Sequence, residues 1–158
     1  MTRALTYSPF KYYFGIFAPF LFCCLIALFF RPSGTLAKEF LHIHQSFHWI
    51  KNDIIIYNLP AGLWVFSLTL ISFNIQKLRL LFFLAPLSFI VILEILQYLA
   101  ITDGTYDILD IIIPFSFFLI SILLYSFNRN YFSLKKDKVW SQITYFSLFI
   151  SVILADVN

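Results

Sequence analysis

Glu94 and Gln97 stand three residues apart inside a long apolar run, and Gly104-Thr105-Tyr106-Asp107-Ile108-Leu109-Asp110 leads directly into the next one. An ionised carboxylate at the centre of a membrane helix costs about 2.5 to 3.5 kcal/mol on insertion scales, so a chain this apolar keeps such groups for a reason. Glu94 and Asp110 are the first functional candidates. An acid and amide pocket of this kind could recognise a lipid head group or a lipid-linked precursor. Alternatively, one of Glu94, Asp107 and Asp110 could act as a general acid or base on a lipid-linked substrate. The second chemistry lacks a nucleophile with its base and a secure metal set.

Each candidate also has a structural reading. Glu94 and Gln97 could hydrogen-bond across a helical bundle, a contact worth about 0.6 kcal/mol and up to roughly 2. Asp107 suits the positive N-terminal end of a helix, with Thr105 as its cap. Asp110 lies nearly a turn further in, where capping explains it less well.

The elements that must position these groups follow from composition. The 158 residues are 61% hydrophobic and 12% charged, with 21 phenylalanines and a mean hydropathy of +0.86. Soluble chains average about 45 to 50% apolar and 25% charged, so this is an integral membrane protein of the all-α, polytopic class. Five segments reach membrane length or approach it: Tyr12 to Phe30, Ile54 to Phe73, Leu78 to Ile101, Ile108 to Phe127, and Trp140 to Ala155, the last being the shortest. They make one integral membrane domain from 1 to 158. The net charge of +3 is spread over the connections and forms no basic face, which argues against nucleic-acid binding.

Counting Lys and Arg in alternate connections predicts orientation. Arg3, Lys11, Lys77, Arg79, Arg129, Lys135, Lys136 and Lys138 fall on one side, and Arg31, Lys38 and Lys51 on the other. The N-terminus is therefore expected in the cytoplasm and the C-terminus outside the cell membrane. Glu94, Asp107, Asp110 and Asp53 then share the outer side. Glu94 is expected about 10 Å below the outer boundary, with Gln97 and Tyr98 on its helix face. Asp107 and Asp110 are expected on one face of the following helix.

The first segment is too long for the 7 to 15 apolar residues of a signal core and reads as a retained helix. Cys23 and Cys24 are adjacent within it and diverge around the helix, forming neither a CxxC motif nor an easy disulfide. Pro60, Pro86 and Pro114 free backbone carbonyls inside helices and suggest kinks lining an interior. Trp49, Trp64 and Trp140 lie near expected boundaries and suit an interfacial aromatic belt.

The link from Leu36 to Asn52 carries His42, His44 and His48. Phe40, Ile43, Phe47 and Ile50 recur at helical spacing opposite His44, His48 and Lys51, the pattern of an amphipathic helix in the membrane interface. His44 and His48 at i and i+4 could instead ligate a metal with Asp53 or Asp107. The HExxH pattern is absent, and the interfacial reading requires neither metal nor cofactor.

The order Glu94-Ile-Leu-Gln97, short turn, then Gly104-Thr105-Tyr106-Asp107-Ile108-Leu109-Asp110 resembles the VanZ-like family of small membrane proteins. There a Glu and a Gln three apart precede a turn that commonly carries Arg, and an Asp opens the next helix with an Asn four residues on and a Gly soon after. Glu94, Gln97 and Asp110 match this pattern. Gly104 stands where the Arg is expected and Pro114 where the Asn is, and no Gly follows. Asn58-Leu59-Pro60-Ala61-Gly62-Leu63-Trp64 resembles the Leu-Pro-x-x-Leu-Trp opening of some members. The resemblance spans roughly 53 to 120 and implies a divergent member with a cell-envelope role. It names no reaction. The expected topology, taken by itself, suggests a binding or accessory function, or a place in a larger membrane complex, with Glu94, Gln97, Asp107, Asp110 and Asp53 lining an outward-facing pocket.

Overall fold

The structure is a computed structural model that describes residues 9–30, 42, 52, 54–75, 78–102, 105–129 and 138–156. All regular elements among the described residues are helices. Helix α1 spans Pro9–Phe30, and a π-helical turn, Ile54–Asn58, continues into α2, Leu59–Ser72. Helices α3 (Arg79–Tyr98), α4 (Leu109–Phe127) and α5 (Lys138–Asp156) follow. Four stretches, Tyr13–Phe30, Ile54–Ser72, Arg79–Tyr98 and Leu109–Phe127, are long and apolar enough to cross a membrane. The protein is an all-α polytopic membrane bundle. Helix α5 forms where a fifth segment is expected and is 19 residues long. Apart from His42 and Asn52, the expected interfacial helix lies outside the described residues, as do His44, His48 and Asp53.

Helix α2 is the centre of the bundle. In an 18-residue stretch of Ile54–Ser72, 67% of residues are buried, against 28% for Tyr13–Phe30 and 17% for a stretch of that length in each of the other two spans. Small residues allow this close approach. A Cβ built on Gly62 would stand 2.5 Å from the Phe117 ring of α4, so glycine leaves the room that this ring occupies against α2. Ser67, completely buried, donates its hydroxyl to the Ile16 carbonyl at 3.1 Å and ties α1 to α2. Trp64 departs from expectation: it is 1% exposed and packs on Phe89 and Phe149 at 5.9 and 5.3 Å between ring centroids. Because α2 is surrounded by the other helices, a tryptophan in its second turn faces protein. Trp140 is 62% exposed.

The prolines act as their chemistry requires. Pro86 inside α3 has no N–H to offer the carbonyl four residues earlier, that of Phe82. The Tyr145 hydroxyl on α5 donates to that carbonyl at 2.8 Å, while the Tyr145 ring stands edge-on to Phe82 at 5.0 Å. The vacancy in one helix is thus filled by the side chain of another, as a low-dielectric interior demands. Helix α3 then ends in a Schellman motif: Ile101 N–H bonds the Leu96 carbonyl and Ala100 N–H the Gln97 carbonyl, both at 2.9 Å. Ala100 takes the left-handed conformation at φ 53° that this cap needs.

That cap moves the helix end inward. Helix α3 stops at Tyr98 instead of running to Ile101, so Glu94 lies one turn, about 6 Å, from its end.

Candidate functional site: an acid and amide cluster at one end of the bundle

Three segments converge where α3 ends and α4 begins. The π-helical turn brings Asn58 inward, 3% exposed, immediately before Pro60 sets the first turn of α2. Its extra residue per turn re-aims the side chain at the junction. Asn58 Nδ2 donates to Asp110 Oδ1 at 2.6 Å, joining positions 52 apart in the chain.

Asp107 has two roles in the same junction. Its Oδ1 accepts the Leu109 N–H at 2.9 Å and closes the turn that starts α4. Its backbone N–H donates to Glu94 Oε2 at 3.3 Å, reaching across to α3. Glu94 is 5% exposed. A buried carboxylate without such partners would be far too costly in apolar surroundings, so the turn that opens α4 is shaped partly by the need to donate to it.

The arrangement corrects two expectations. Asp107 closes the turn itself, and Thr105 is exposed and is not the cap. Asp107 also precedes α4, which begins at Leu109, so Asp107 and Asp110 approach the junction from the loop and the first helical turn respectively. Pro114 lies four residues after Asp110 and supplies no N–H to the Asp110 carbonyl, loosening the helix at this residue. Gln97 is half-buried beside the cluster and carries none of these bonds. Tyr98 and Tyr106 stand edge-on at 5.4 Å, both exposed, as an aromatic rim. Glu94, Asp107 and Asp110 are therefore brought together, with Gln97 at the margin and Asp53 outside the described residues.

Asn58 is the member that sequence reasoning missed. It appears there only as the first residue of a short motif, although an amide at the start of an apolar span is itself a polar group needing a partner.

Among the described residues no three His, Cys, Asp or Glu side chains gather as a metal-binding group. The cluster is instead equipped to accept hydrogen bonds and to attract positive charge. At the opposite end of the bundle, Arg79 stacks over Phe73 at 5.3 Å and Phe73 lies flat on Tyr125 at 3.8 Å. Carboxylates and cation thus occupy different ends of α3, fifteen residues or about 22 Å apart.

Fold and site together define a polytopic α-helical membrane protein with a partly buried acid and amide cluster at one end. The chain matches no protein-family model, no curated protein and no solved structure.

Proposed function

We propose that this is a VanZ-like membrane protein of the cell envelope, with a binding or accessory role exercised through the cluster of Asn58, Glu94, Asp107 and Asp110. The single observation that carries the reading is the convergence of three segments on two carboxylates, through Asn58 to Asp110 and through Asp107 to Glu94. A bundle held together by apolar packing alone has no need of it. Carboxylates placed one turn inside the helix ends suit a polar head group bearing hydroxyl, amide or ammonium donors, with Tyr98 and Tyr106 at the rim to flank it. The ligand is an envelope lipid or lipid-linked precursor, or the matching surface of a partner subunit. The Lys and Arg distribution supports an outward-facing cluster.

Pro114 occupies the position where an Asn is expected, and Asp110 takes an amide partner from Asn58 on the neighbouring segment.

The test is purification in gentle detergent of the wild type and the Glu94→Gln/Asp110→Asn double variant, followed by mass spectrometry of copurifying lipids and proteins. A lipid, precursor or stoichiometric partner lost only from the folded double variant is the expected result. An unchanged complement in both would reject the reading. Cysteine labelling at Gly104→Cys locates the cluster, and labelling from the cytoplasmic face would reverse the orientation.

A further inference from the structure

Cys23 and Cys24 are the two cysteines of the chain, and both stand on α1. Adjacent positions diverge around a helix, yet these side chains meet: Cys24 is in side-chain hydrogen-bond contact with Cys23, and both line one partly open cavity of about 40 Å³. The facing walls come from α2 (Ala61), α3 (Phe89, Leu93) and α5 (Val152). No carboxylate, imidazole or ammonium lines the cavity, so the thiols are its reactive groups.

The pair does not close on itself, and neither cysteine is in a disulfide. Neighbouring Cα atoms stand about 3.8 Å apart, short of the roughly 4.4 to 6.8 Å that a disulfide spans, so bridging them would break the helix. What two such sulfurs can share is a third atom. Two bonds of about 2.3 Å each let one metal ion join sulfurs up to about 4.6 Å apart, a span that thiols in hydrogen-bond contact lie within.

The donor set selects the ion. Thiolate sulfur favours copper(I), zinc and iron–sulfur clusters. Zinc and the clusters take four ligands, or three with an open position, whereas this cavity offers two sulfurs and no His, Asp or Glu beside them. A soft monovalent cation satisfied by two sulfurs is left. Charge agrees with this, because an uncompensated charge in apolar surroundings is costly, and one thiolate with one thiol balances a single positive charge. On binding, one S–H bond breaks, its proton leaves to water, two metal–sulfur bonds form, and no atom changes oxidation state. The cavity exceeds the roughly 10 to 15 Å³ that one water requires, so a bare ion has room.

We propose that Cys23 and Cys24 form a two-coordinate site for a soft monovalent cation of the copper(I) class inside the membrane bundle, separate from the acid and amide cluster.

The experiment uses the full chain in gentle detergent and chloride-free buffer, with silver(I) nitrate as a redox-inert probe. Gel filtration followed by elemental mass spectrometry should find one silver per chain, with about one proton released per ion bound. Bound silver should protect both cysteines from maleimide. Cys23→Ser and Cys24→Ser should each weaken binding by about tenfold or more, because each removes one of two ligands. Ala61→Phe keeps both cysteines and fills the cavity; it should weaken binding as much while the circular dichroism spectrum stays helical, and Leu93→Phe serves as a second filler. Wild-type affinity in Cys23→Ser/Cys24→Ser or in both folded fillers, one silver shared by two chains, or displacement by excess zinc(II) would overturn the proposal. Should a variant fail to fold, stoichiometry, proton release and maleimide protection of the wild type decide the matter.

Discussion

Asn58 and Asp110 lie 52 positions apart and are joined by a 2.6 Å hydrogen bond that pins the π-helical entrance of α2 to the first turn of α4. Removing the amide leaves a half-buried carboxylate short of a donor. Asn58→Leu should lower stability by about 1 to 3 kcal/mol, the cost of removing one partner of a buried hydrogen bond. Combined with Asp110→Leu it should cost less than the two single changes together, with a coupling of about 1 kcal/mol or more read from unfolding in detergent.

Glu94→Gln preserves an oxygen that can accept the Asp107 N–H. We expect a change in melting temperature of no more than a few degrees, alongside loss of the copurifying ligand. A large thermal drop in this conservative variant would assign the carboxylate to bundle packing.

Gly62 faces the Phe117 ring so closely that an added methyl must displace it. Gly62→Ala should destabilise by about 1 to 3 kcal/mol through overpacking. Phe117→Leu in the same chain should recover part of the loss, which tests whether ring contact or backbone strain is responsible.

Tyr145→Phe removes the hydroxyl that serves the Phe82 carbonyl. The expected loss is about 1 to 3 kcal/mol, because the carbonyl is left without its donor in an apolar setting. In a Pro86→Ala background the helix supplies its own N–H to that carbonyl. There Tyr145→Phe should cost markedly less, and an equal cost in both backgrounds would refute the pairing.

Ala100 holds the left-handed position of the Schellman cap with a side chain that resists it. Ala100→Gly should raise stability by about 0.5 kcal/mol: relief of the left-handed strain, about 1 to 2 kcal/mol, is partly offset by the freer unfolded chain. Thermal unfolding against wild type is sufficient to measure it.

Much of the architecture was legible because length and apolarity alone define a membrane span. Four expected segments coincide with four helices apolar enough to cross, and Glu94, Asp107 and Asp110 stood out because charge is rare in such surroundings. Neighbourhood was the part the sequence could not express. Asn58 joins the site only because α2 packs against α4, a relationship no local pattern encodes. Trp64 has the same composition and position as a belt residue and is buried because its helix is central. Thr105 was expected as the cap because its residue type suits a helix start, whereas the turn before α4 is closed by Asp107, whose side chain takes the Leu109 N–H while its backbone reaches Glu94.

The Phe82 and Tyr145 pairing has a consequence for how the protein is made. Helix α3 leaves the ribosome well before α5, so for that interval its Phe82 carbonyl faces lipid or water with no helical N–H to meet it. The gap acts as an address that Tyr145 of α5 answers, one contact by which the later helix meets α3. A nascent chain stopped before Tyr145 carries that address unanswered, and so remains chemically distinguishable from a finished one to whatever surveys the membrane.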